Sequence, residues 1–135
     1  MPVALEIVSP ARLLLSRAVE MVVIPSADGD LGVQQGRAPM IVALRGGTIT
    51  IYENGAAVEK LFVAGGFAEI TPDRCTVLAQ EALPVAEVSR SAADKRVAAA
   101  EAAYNTTDKM DIVALDAAMD KLASARAMVE AAQAA

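Results

Sequence analysis

The side chains in this sequence that could do chemistry are few, and they stand apart. Histidine, the commonest general base and metal ligand, is absent from all 135 residues. The one cysteine, Cys75, lies in a strand-like apolar run, where a thiol packs as a small hydrophobe. It has no second cysteine to pair with, as in proteins of a reducing compartment. Aspartates and glutamates are scattered over turns and helix-like surfaces at no metal-ligand spacing, and no Gly-x-x-x-x-Gly-Lys phosphate loop occurs. Gly65-Gly66 leads into Phe67-Ala68-Glu69, a strand entry and not a helix, so it is not a nucleotide loop. Without histidine or a nucleophile elbow, a hydrolase reading fails. The expectation is no catalytic residue, no metal and no cofactor.

What is left is a pair of charges, Asp30 and Arg37, inside residues 25–40, PSADGDLGVQQGRAPM. Gly29, Gly32, Gly36 and Pro39 suit tight turns here, because glycine reaches positive φ freely and proline presets φ near −65°. The segment reads as an ordered loop with solvated charges. Gly65-Gly66-Phe67 reads as a strand bend with Phe67 filling core.

Composition limits the partners. A net charge of −5 and a pI near 4.7, with scattered Lys and Arg, argue against nucleic acid. No apolar run approaches the ~18 residues that span a bilayer, and no signal-like segment opens the chain, so a soluble cytoplasmic protein is expected. All eight glycines and all six prolines precede residue 85, whereas residues 87–135 hold 17 alanines in 49 positions. Turns therefore build the first part and helix the second.

Residues 3–8, 13–18, 19–24, 31–34, 40–44, 48–52, 58–64, 67–71 and 75–80 read as short strands between turn signals. Strict alternation puts Ile49 and Ile51 on one face and turns Thr48 and Thr50 outward, Pro25 closes its strand, and Asn54-Gly55 calls for a type I′ hairpin turn. Such spacing predicts an antiparallel β-sandwich over 1–86. A first helix opens near Ser89 or Ser91 and breaks at residues 105–108. Thr107 or Asp108 caps a second, whose apolar face would carry Ile112, Leu115, Met119, Leu122 and Val129. The fold class expected is β + α: an N-terminal antiparallel β-sandwich (1–86) followed by a C-terminal antiparallel two-helix hairpin (87–135). Alanine seams bury little area, so the hairpin should be weakly docked.

Two glycine islands carry a family likeness. Pro25, Gly29, Gly32, Gly36 and Pro39, followed by Gly65, Gly66, Phe67 and Glu69, resemble the N-terminal domain of epsilon subunits of F-type ATP synthases. There Gly-x-x-Gly, Pro-Gly-His-x-Pro-Leu and Gly-Gly-Phe-x-Glu occur in that order. The likeness covers nearly the whole chain and departs at Gln35, where proline is usual, and at Arg37, where histidine is usual.

The resemblance implies a non-catalytic rotor subunit of the central stalk, coupling c-ring rotation to ATP synthesis, peripheral on the cytoplasmic face of the bacterial inner membrane and touching membrane only through the ring. Its implied c-ring contacts are Asp30, Gly36 and Arg37. The gamma subunit is expected on the 39–44 strand, with Pro39, Met40 and Val42 as candidates. The 87–135 hairpin is implied to be regulatory, reaching the catalytic alpha and beta subunits when extended. Some members bind ATP through an apolar-Asp-x-x-Arg-Ala motif; here the acid is Ser89 and the arginine Ala92, which implies no useful ATP binding. With only Lys121 and Arg126 as cations on the second helix, weak inhibition is expected. The alternative is a stand-alone ligand-binding β-sandwich with a regulatory helical tail.

Overall fold

Turn residues cut the first two thirds of the chain into strands too short to stand alone, and each buries one face by pairing onward. The computed structural model describes residues 2–134. Its strands are β1 (Val3–Val8), β2 (Leu13–Val19), β3 (Met21–Ser26), β4 (Gly29–Val33), β5 (Met40–Leu44), β6 (Gly47–Glu53), β7 (Ala56–Val63), β8 (Gly66–Thr71), β9 (Arg74–Ala79) and β10 (Ala82–Pro84). A 3-10 turn, Val85–Glu87, leads to helices α1 (Arg90–Thr106) and α2 (Ile112–Ala134).

The strand order is β10-β7-β6-β3-β5-β8-β9-β1-β2, with β4 on β3. Neighbours run antiparallel except β1 and β9, which run parallel. β3 and β5 share one register pair, Ser26 with Leu44, and at this corner the ribbon folds over into two layers. Arg17 on β2 reaches Glu59 on β7 at 2.9 Å and ties the far edges together. Val3, Leu5, Ile7, Ile24, Ile49, Ile51, Leu61, Ile70 and Val77 are fully enclosed between the layers. Asn54 at φ 54° and Gly55 at φ 77° make the expected primed turn between β6 and β7.

The helical hairpin lies against the outer face of β6 and β7. That face would otherwise be wet, so β7 is the strand buried on both sides: Leu61 and Val63 point into the sandwich, while Phe62 joins Val85, Ala93, Met128 and Ala131 beneath the helices. Ser89 caps α1, its Oγ accepting the Ala92 N–H at 3.2 Å.

Five expectations are corrected. Pro25 does not end its strand; it is buried within β3, and its ring covers Gly47. Gly29 and Asp30 are not loop: they belong to β4, joined to β3 by a two-residue turn, so much of the presumed loop is a hairpin. Phe67 is not core. Ala68 and Ile70 take the inward positions of β8, so the two-residue period leaves Phe67 58% exposed. In α2 the cap is Asp111, whose Oδ1 accepts the Ala114 N–H at 3.1 Å. The buried stripe is Ala118, Leu122, Ala125, Met128 and Ala131, while Ile112 and Met119 are exposed. Small residues line this seam because they let two helices and a sheet approach closely.

Candidate functional site

Two ends and one face of the sandwich are open to partners, the other face being covered by the helical hairpin. At one end gather the turns at 27–28, 45–46, 64–65 and 80–81; at the other, the 34–39 loop and the turns at 54–55 and 72–73. Asp30 belongs to the first end. Arg45 donates from Nη2 to Asp30 Oδ1 at 2.6 Å and from Nη1 to the Ser26 carbonyl at 2.5 Å, fixing the carboxylate at the sheet corner. Gly36 and Arg37 belong to the second end. The Gly36 N–H donates to the Pro72 carbonyl at 2.6 Å, in a left-handed conformation at φ 89°. Arg37 is half-buried, and its Nε is enclosed with no acceptor among the described residues. The three residues singled out by sequence are thus not brought together: Asp30 sits beside the β3–β4 turn, whereas Gly36 and Arg37 lie in the loop beyond the far end of β4.

On the face away from the helices, register aligns an exposed apolar row. Ala43 lies opposite Phe67, Phe67 opposite Leu78, Leu78 beside Val8, and Val8 opposite Leu13, so the row crosses β5, β8, β9, β1 and β2. Phe67, Leu78 and Leu13 are all more than half exposed, and Ile41, one row away, is 73% exposed. Of the sequence candidates on this strand, Pro39 and Met40 are exposed, but Val42 packs against the core, so its neighbours Ile41 and Ala43 present the surface. Phe67 is missed because an apolar residue in a strand reads as core, although its parity with Ala68 turns it outward; Leu78 carries no signal beyond its parity with Val77.

The opposite face is the hairpin seam. Arg96 of α1 is ion-paired to Glu81, and this hydrogen bond raises its pKa against the lowering effect of burial. Its Nη1 also approaches the Met128 sulfur at 3.6 Å. An alanine-lined cleft of about 880 Å³ opens between the two helices and Ala64, Gln80 and Glu81. Ser89 and Ala92 stand at the start of α1, the first occupied in capping and the second exposed. Burial pushes the Cys75 thiol up to about 11, so at neutral pH it stays a protonated core group. Among the described residues no group of three or more metal-ligating side chains forms, and no helix is long and apolar enough to cross a membrane.

Comparison with known proteins adds what geometry does not. The family model described as ATP synthase, Delta/Epsilon chain, beta-sandwich domain matches residues 2–85. A protein named ATP synthase epsilon chain from Granulibacter bethesdensis is 66% identical over 130 residues, 96% of each chain. Its namesake in Gluconacetobacter diazotrophicus is 46% identical over 132 residues, 98% of this chain and 94% of that one. A chain in a cryo-EM structure of the Euglena gracilis mitochondrial ATP synthase, OSCP/F1/c-ring, superposes with a TM-score of 0.76 at 20% identity, covering 96% of this chain and 81% of that one. One in the Tetrahymena thermophila mitochondrial ATP synthase central stalk and c-ring gives 0.65 at 13% identity, with 98% and 97% covered. These two show the sandwich-plus-hairpin fold.

Proposed function

The chain belongs to the epsilon-chain family of F-type ATP synthases, and on that premise we propose that it works as a non-catalytic rotor subunit, passing c-ring rotation to the head through its grip on gamma. The observation that carries this reading is the apolar row Ala43, Phe67, Leu78, Val8 and Leu13, set on a rigid two-layer body. A contiguous exposed apolar surface on a soluble domain marks a partner, and aromatic residues anchor such interfaces. Gamma is that partner, seated on Phe67, Leu78 and Ile41 with Pro39 and Met40 at its border; Val42 supports the strand from inside.

A ring surface touches one end of the body only. We assign it to the Asp30 end, where the family resemblance implies a ring contact and Arg45 holds the carboxylate in place. Gly36 and Arg37 then serve the opposite end, toward gamma, where the half-buried Arg37 brings a permanent cation to the loop. The docked hairpin is the state that permits turnover. Extended toward the alpha and beta subunits it inhibits weakly, because α2 offers Lys121 and Arg126 against Asp116, Asp120 and Glu130. ATP does not bind usefully, since Ser89 already caps α1 and Ala92 brings no cation to a phosphate. The protein sits peripherally at the cytoplasmic face of the bacterial inner membrane, meeting it only through the ring.

Co-purification tests this directly. With the C-terminus tagged and membranes solubilised gently, gamma, alpha, beta and the ring should come down in stoichiometric amount. A lone monomer from the soluble fraction would overturn the reading and favour a ligand-binding sandwich.

A further inference from the structure

We infer that Gly46 is the residue that lets the helical hairpin dock, and that with Ala64 and Glu81 it forms a one-point latch through which both helices are held. A Cβ built on Gly46 would stand 2.6 Å from both the Ser124 Cα and its Oγ. That is almost an ångström inside ordinary contact, and the atom met is helix backbone, which cannot rotate away. Gly46 is not among the glycines at positive φ, so its own turn would accept alanine. The absence of a side chain at 46 therefore serves the approach of α2 and nothing local. Gly47, one residue on, answers a different need, since its Cβ would meet Pro25 inside the sandwich.

The polar ties converge on the same spot. Ser124 donates from Oγ to the Ala64 carbonyl at 2.8 Å, while the Ala64 N–H donates to the Glu81 carbonyl at 2.9 Å. The Glu81 side chain in turn holds Arg96 of α1. Both helices are thus fastened to one corner, α2 through Ser124 and α1 through Arg96, with Phe62 as the neighbouring apolar anchor. The rest of the seam is apolar contact without polar ties, Leu83, Val85 and Val88 meeting Ala93, Met128 and Ala131. Opening the latch frees the hairpin as a unit and leaves the sandwich core closed. The latch stands on this geometry alone; only its consequence for the rotor rests on the proposed function.

Amide hydrogen exchange of the isolated full chain, read by mass spectrometry, tests it apart from any assembly. Gly46→Ala should speed exchange across 90–134 by about tenfold or more while β8 and β9 stay protected. Ser124→Leu, which places the bulk on the helix instead, should do the same, and Ser124→Ala, which removes one hydrogen bond without adding bulk, should do much less. Unchanged helix protection in both Gly46→Ala and Ser124→Leu would overturn the inference, as would loss of β8 and β9 protection in step with the helices in both.

Discussion

Gly65 and Gly66 are adjacent, alike in backbone conformation at φ 131° and 132°, and unlike in surroundings, which makes them a controlled pair. A Cβ at Gly65 would find only the Gln80 side-chain oxygen at 3.5 Å and the Leu44 carbonyl at 3.7 Å, both ordinary contacts. A Cβ at Gly66 would stand 2.1 Å from the Leu78 carbonyl and 3.0 Å from the Ala79 Cα. Gly65→Ala therefore bears only the left-handed strain, about 1–3 kcal/mol. Gly66→Ala bears that strain and must also push β9 away by more than an ångström. Since β9 is hydrogen-bonded on both sides, to β8 and β1, this adds overpacking of about 1–3 kcal/mol, for a total of roughly 2–6. Urea unfolding of the two single variants, followed by circular dichroism, measures both losses. Against a stability of about 5–15 kcal/mol for a domain, Gly66→Ala should fall near the edge of folding at 37 °C while Gly65→Ala stays well folded. A loss for Gly66→Ala no greater than that for Gly65→Ala would refute the packing argument and leave backbone strain as the whole requirement.

Other outcomes follow from the same surfaces. Phe67→Ser should change the stability of the isolated chain by less than about 1 kcal/mol, because the ring is exposed, yet weaken binding to gamma by about tenfold or more in a calorimetric titration; intact affinity would remove Phe67 from the interface. The Cys75 thiol, at about 11 when folded against an ordinary 9.0, makes the unfolded chain the better acid. Stability is therefore untouched below pH 9 and falls as pH rises from about 9 to about 11, by about 2–3 kcal/mol, a decline absent from Cys75→Ala when the two urea series are subtracted. Removing residues 88–135 should leave the ATPase rate of the assembled complex nearly unchanged, and a several-fold rise would contradict weak inhibition.

Much of the architecture was legible because local chemistry and tertiary demand agreed. Asn54-Gly55 has no better use than a primed turn, and Ile49 and Ile51 alternate within a strand whose inner face is core. Where the two diverged, sequence misled. Phe67 is apolar but faces out, a fact carried by register with Ala43 and Leu78 and not by its own type. The α2 stripe was drawn through its largest residues, whereas close packing against the sheet chose Ala118, Ala125 and Ala131. The distance between Asp30 and Arg37 was hidden for a similar reason: a glycine-rich stretch looks like one loop until β4 pairs with β3 and stretches it end to end. Gly46 gave no signal at all, since only the helix arriving from 78 residues later explains it.

The parallel pairing of β1 with β9 bears on the order in which this chain can be completed during its synthesis. Leu5 lies beside Cys75, so the first strand to leave the ribosome has no neighbour on that side until some seventy residues more have been made. At about 5–20 residues per second, that is a wait of roughly 4–14 seconds. The β1–β2 hairpin can form early from local pairing, but the β1 edge that Cys75 and Val77 later complete stays unpaired throughout the interval. Nascent chains stalled before residue 74 should therefore expose a sticky, half-built sheet, and translation slowed in that window should raise misassembly more than the same delay imposed within the helices.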